Sequence, residues 1–217
     1  MTRIKICCIS SPHEAGVALA AGADALGLVS AMPSGPGVLG EDRIAGILAG
    51  LPDGTDTFLL TSKRRAADIV AQHLRCPTST IQICDELTET DAFSRLRGAL
   101  SGVTLVQVVH VEGPEAVERA LAVAEQVDAL LLDSGRPAAP TPQLGGTGRT
   151  HDWRWSRRIV EQSPVPVYLA GGLDAGNVRR ALDEVGPYGV DVCSGVRRDG
   201  ALAPDRLESF VAAVRAA

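Results

Sequence analysis

Aromatic side chains are scarce: the 217 residues include two Trp, two Tyr and three Phe. A core without them has to be filled by Ala, Val, Leu and Ile, as in parallel strands wrapped by helices. No apolar run approaches the ~20 residues of a membrane-spanning helix. The first residues also lack the apolar stretch and small-residue cleavage site of a secretory signal. A reduced, cytoplasmic setting without membrane partners is therefore expected. Positive charge is not in excess, since the formal net charge is −5, and no basic stripe is offered to nucleic acid. The four histidines, His13, His73, His110 and His151, are not at metal-ligand spacing. Cys7 and Cys8 are too close to clamp a metal as a CxxC pair does, so no metal site is expected. "GGTGRT" lacks the lysine and the four-residue gap of a Walker motif, and no GxGxxG opens a helix after the first strand.

Regular alternation fills the chain instead. Apolar runs of strand length occur at 3–9, 24–29, 56–61, 78–84, 103–109, 128–133, 165–170 and 188–193. Helical patterns lie between them at 12–22, 41–50, 63–75, 88–100, 114–126, 151–162, 174–185 and 204–216, with start signals at Ser11-Pro12 and Asp174. Parallel strands each need a crossover helix, and no linker or compositional break interrupts the series. The fold class expected is α/β, with residues 1–217 forming one (β/α)₈ barrel domain; a doubly wound open sheet is the alternative.

In a barrel, reactive groups belong at the carboxyl ends of the strands. Cys7 and Cys8 end the first strand, Asp133 the sixth and Cys193 the eighth. Side chains alternate across a strand, so Arg3, Lys5 and Cys7 share one face and Ile4, Ile6 and Cys8 the other. The apolar set is expected against the helices, which sends Cys8 outward and puts Lys5 and Cys7 in the barrel mouth. Asp191 shares a face with Cys193, and strands one and eight are neighbours in a closed barrel. An interior Lys5–Asp191 ion pair follows, to be rejected if the charged groups lie more than about 6 Å apart. Cys8, Cys76, Cys84 and Cys193 read as small core hydrophobes.

Glycine-rich loops follow three consecutive strands: "LGGTGRT" (144–150), "AGGL" (170–173) and "CSGV" (193–196). Glycine lets backbone amides approach an anion, and barrels often hold phosphate after strands seven and eight. The expected partner is a phosphorylated small molecule, with Ser194 and Gly195 supplied by the last of these loops.

Together, "KICCI" (5–9), "GADALGLV" (22–29), "LLDS" (131–134), "LGGTGRTHDW" (144–153), "LAGGLDAGNV" (169–178) and "GVDVCSGV" (189–196) resemble the phosphoribosylanthranilate isomerase family of tryptophan biosynthesis along the whole chain. The resemblance implies a (β/α)₈ barrel, a catalytic cysteine at Cys7, a catalytic aspartate at Asp133, and phosphate loops at Gly171, Gly172, Ser194 and Gly195. Gly145 and Gly146, with Lys5 and Asp191, are expected around the substrate. The implied reaction is a cofactor-free Amadori rearrangement of N-(5'-phosphoribosyl)anthranilate. An acid, Asp133, protonates the ring oxygen, and a base, Cys7, removes the C2' proton. That acid needs a raised pKa from apolar surroundings such as Leu131 and Leu132, and the base needs thiolate character, which Lys5 favours. Monomer and homodimer are both compatible with the resemblance.

The chain departs from the family pattern at several positions. The glycine after the catalytic cysteine is Cys8, the strand-four QLHG reads "QICD" (82–85), the eighth-strand serine is Cys193, and the glutamate after SGV is Arg197. The loop after strand two, "SAMPSGPGVLG" (30–40), has no arginine to meet an anthranilate carboxylate; Arg136, Arg149 and Arg197 are the candidate replacements. Two alternatives therefore stay open: a paralogue acting on another ribosyl or ketose phosphate, and a non-catalytic barrel that binds a phosphate ligand.

Overall fold

The computed structural model describes residues 1–135, 148 and 150–216. Gly145, Gly146, Arg136 and Arg149 lie outside the described residues. Eight parallel strands close into a barrel in chain order: β1 (Arg3–Ile6), β2 (Ala25–Val29), β3 (Asp56–Thr61), β4 (Thr80–Ile83), β5 (Thr104–His110), β6 (Ala129–Asp133), β7 (Val167–Leu169) and β8 (Gly189–Val192). The helices α1 (Pro12–Ala20), α2 (Glu41–Leu48), α3 (Ala66–Arg75), α4 (Ala92–Ala99), α5 (Glu115–Ala124), α6 (Trp153–Gln162), α7 (Val178–Val185) and α8 (Pro204–Arg215) follow them in turn. This is the (β/α)₈ barrel expected, and the open sheet is set aside.

Two concentric apolar layers hold it together. The layer between strands and helices is built from aliphatic residues such as Ile4, Ile6, Leu26, Leu28, Leu59 and Ile69, all fully buried. Each such side chain contributes about 1.5–3 kcal/mol by leaving water. The inner layer is smaller and mixed: Ala25, Phe58, Val106, Ala129, Leu131 and Tyr168 pack with Cys7, Cys8 and Cys84. Strand alternation sorts the two, since Leu130 and Leu132 face the helices while Ala129 and Leu131 face inward with Asp133.

Several bounds differ from the sequence reading, β1 ending at Ile6 rather than at Ile9 among them. Helix α7 begins at Val178 rather than at Asp174; Asp174 instead organises the turn ahead of it, its carboxylate accepting from the amides of Gly176 (2.8 Å) and Asn177 (3.0 Å). A two-stranded hairpin of β9 (Arg197–Arg198) and β10 (Ala201–Leu202) precedes α8, too short for any periodicity to signal. Ser11 does cap α1 as expected, accepting from the Glu14 amide at 3.2 Å with Pro12 in the first turn.

Candidate active site

The register of the closed barrel puts Lys5 of β1 level with Asp191 of β8. The Lys5 ammonium donates to the Asp191 carboxylate at 2.9 Å with none of its side chain exposed, and lies 5.1 Å from the Phe58 ring centre. Burial alone would lower the Lys5 pKa, but the Asp191 carboxylate, with help from Cys7, holds it above its ordinary value. The interior ion pair expected from strand parity is thus present. A Cβ on Gly27 would stand 3.1 Å from both the Lys5 Nζ and the Cys7 Sγ, so a side chain at this position of β2 would crowd both groups. Gly27 carried no signal in the sequence, because its role depends on two residues of another strand.

Asp133 ends β6 inside the mouth, 8% exposed. Burial pushes its carboxyl up to about 6; the Ser134 amide, donating at 2.7 Å, opposes the shift, and the nearby Asp191 charge adds to it. Near neutral pH such a carboxyl holds its proton for an appreciable fraction of the time, as an acid catalyst requires. Cys7, Asp133 and Asp191 line a single cavity, floored by Leu60, Gln82 and Cys84 and walled by Met32, Ser34, Gly35 and Pro36 of the β2–α2 loop.

Cys8 does not face the helices. Strand β1 ends at Ile6, so alternation no longer applies, and Cys8 takes a left-handed backbone (φ 64°) that turns it into the mouth. Such a φ suits glycine, which is what the resembled family carries there. Its sulfur lies 2.7 Å from that of Cys193, so neither is the isolated core hydrophobe expected; Cys76 and Cys84 are buried.

Arg197 does not supply a cation to the cavity. It is buried behind the first loop, paired with Glu14 at 3.0 Å and donating to the carbonyls of Cys8 (2.6 Å) and Cys7 (3.2 Å). Burial would raise the Glu14 carboxyl, yet hydrogen bonds from Arg197 and from the Leu202 and Ser10 amides bring it down to about 2. This pair braces the backbone that carries Cys7. The two residues are far apart in sequence, so no local pattern links them.

The loops after β7 and β8 meet at the cavity. Gly171 (φ 88°) and Gly172, with Ser194, line the cavity, while Gly195 packs against the Leu173 carbonyl so closely that a Cβ would collide with it. The Asn177 side chain donates to the Gly172 carbonyl at 2.8 Å and fixes the turn.

Known proteins share this fold. Residues 63–213 match the family model described as N-(5'phosphoribosyl)anthranilate (PRA) isomerase. The chain is 34% identical to N-(5'-phosphoribosyl)anthranilate isomerase 1 of Methanosarcina mazei, with 100% of this chain and 96% of the relative covered. It superposes on phosphoribosyl anthranilate isomerase from Thermotoga maritima with a TM-score of 0.83, 27% identity and full coverage of both chains. A third likeness, with a TM-score of 0.78, 25% identity and full coverage of both chains, is to an isomerase solved in complex with reduced 1-(o-carboxyphenylamino)-1-deoxyribulose 5-phosphate. The chain belongs to the N-(5'-phosphoribosyl)anthranilate isomerase family.

Proposed function

We propose that this barrel converts N-(5'-phosphoribosyl)anthranilate into 1-(o-carboxyphenylamino)-1-deoxyribulose 5-phosphate by acid–base catalysis, with Asp133 as acid and Cys7 as base. The observation that carries the reading is one cavity holding a buried carboxyl shifted to about 6, a cysteine, and a glycine cradle from two adjacent loops. Protonation of the furanose oxygen by Asp133 opens the ring to an iminium. The Cys7 thiolate then removes the C2' proton, and the resulting enolamine returns as the ketone. Gly171, Gly172 and Ser194 hold the phosphate through amides and a hydroxyl, with Gly195 closing the cradle from behind. The buried Lys5–Asp191 pair acts on the Asp133 carboxyl, Asp191 raising its pKa and Lys5 lowering it. Met32, Ser34, Gly35 and Pro36 form a neutral wall of the cavity, the surface this reading assigns to the aryl group.

Turnover of phosphoribosylanthranilate in vitro, paired with rescue of a tryptophan auxotroph that lacks the isomerase, tests the assignment. Robust turnover and growth are expected. A well-folded protein with neither, whose melting temperature still rises with ribulose phosphates, would replace it with isomerisation of another sugar phosphate.

A further inference from the structure

Three thiols crowd one side of the cavity, and only Cys7 has a part in the reaction proposed above. The other two come from opposite ends of the chain: Cys8 from the turn after β1 and Cys193 from the residue that opens the loop after β8. Their sulfurs are 2.7 Å apart and share a hydrogen bond, so little movement separates the dithiol from a bond of about 2.05 Å. Cys193 is the one cysteine of the five that is not fully buried, and it lines the open cavity. The hydrogen bond with Cys8 and the Arg197 charge pull its thiol below the ordinary range, although burial opposes them. Cys7 is a poor partner for Cys8. Adjacent Cα atoms across a trans peptide are about 3.8 Å apart, below the 4.4–6.8 Å that disulfides span, and the described residues contain no cis peptide bond.

We propose that Cys8 and Cys193 form a peroxide-sensitive dithiol whose oxidation to a cystine reversibly disables the cavity. The Cys193 thiolate attacks a peroxide oxygen and breaks the O–O bond, giving a sulfenic acid and, with hydrogen peroxide, a hydroxide that takes up the proton Cys193 had released and leaves as one water. The Cys8 sulfur then attacks the Cys193 sulfur; the S–S bond forms, the S–O bond breaks, and the oxygen leaves as a second water with the Cys8 proton. Two thiols supply the two electrons that the peroxide accepts. The cystine pulls on both working loops at once, because Cys8 adjoins Cys7 and Cys193 adjoins Ser194. The turn cannot yield freely: the Gly37 backbone lies against Cys8 so closely that a Cβ on Gly37 would be 2.6 Å from the Cys8 Cβ. A misplacement of about 1 Å at such groups can cost on the order of 10²-fold in rate. The loss of activity, but not the cross-link, rests on the roles proposed for Cys7 and Ser194.

The test treats the reduced full-length protein with stoichiometric hydrogen peroxide and reads thiol count, peptide mass map and kcat/KM, before and after dithiothreitol. Two thiols are expected to disappear into a Cys8–Cys193 cross-link while kcat/KM falls at least tenfold, both recovering on reduction. Cys193→Ser and Cys8→Gly, each compared with its own untreated activity, are expected to keep their thiols and activity at that dose. Absence of the cross-link, oxidation of Cys7 in its place, equal inactivation of the variants, or a cross-link that leaves kcat/KM unchanged would each overturn the proposal. A reduced enzyme without turnover would instead defeat the isomerase reading, and the thiol count would still decide whether the cystine forms.

Discussion

Two parts of the barrel mouth are built from different material. Buried side chains at β1, β6 and β8 make up one part, the proposed acid and base Asp133 and Cys7 with the Lys5–Asp191 pair. Backbone after β7 and β8 makes up the other, the proposed phosphate cradle, with Gly171 and Gly172 at positive φ and Gly195 pressed against the Leu173 carbonyl. A side-chain site is fragile to the loss of a few atoms. A backbone site is fragile to their gain. The first should be read in kcat and in pH profiles, the second in KM.

The most severe way to test this division is to remove the acid or the base. Asp133→Asn and Cys7→Ala are each expected to lower kcat/KM by about 10²- to 10⁴-fold, the usual worth of a positioned proton donor or acceptor, while the melting temperature stays near that of the parent. Steady-state kinetics with phosphoribosylanthranilate decides it; full activity in either variant removes that residue from the mechanism.

Next in size is Gly171→Ala on the backbone side. The added Cβ would lie 2.9 Å from the Ser134 Oγ, at a φ of 88° that L side chains resist. A KM increase of roughly tenfold, with a much smaller change in kcat, is expected from a cost of about 1.4 kcal/mol. Because Ser134 also donates to Asp133, the opposite split would be informative. A fall in kcat at constant KM would show that Gly171 serves the acid through Ser134 rather than the phosphate.

A subtler change tunes the acid without removing it. One limb of the kcat/KM profile is expected near pH 6 and belongs to Asp133. Asp191 raises that pKa and Lys5 lowers it. Asp191→Asn removes the first influence and leaves the second uncompensated, so both effects move the limb to lower pH. A limb that stays in place or rises would mean that another group titrates there.

Legibility in the sequence followed the same division between local and assembled features. All eight strands and their helices were visible because a strand or helix needs only its own residues to set the period. The Lys5–Asp191 pair was readable because parity and closure of the barrel are both simple rules. Parity failed at Cys8, one step beyond the last residues it governs, where the chain enters a left-handed turn. Arg197 was misread as a possible substrate cation for a different reason: its partners are Glu14 and two carbonyls from the other end of the chain. Gly27 shows the limit most clearly, since its value lies in what it leaves unfilled beside Cys7 and Lys5.

The smallest expected effect concerns the brace behind the side-chain part. The Glu14 carboxyl, held near 2 in the folded protein against an ordinary 4.5, stabilises the fold through its charged form. The unfolded chain takes up this proton first. The stabilisation is therefore complete above about pH 4.5 and is lost as pH falls toward 2, and the shift corresponds to about 3 kcal/mol at most. Urea midpoints measured between pH 2 and 6 should fall more steeply for the parent than for Glu14→Gln, which has no proton to gain. The variant also leaves Arg197 without its countercharge, so it should be less stable than the parent at pH 6, the two curves converging as acid protonates the parent. Parallel curves would mean that Arg197 holds the Cys7 and Cys8 carbonyls without help from Glu14, and that the brace consists of its hydrogen bonds alone.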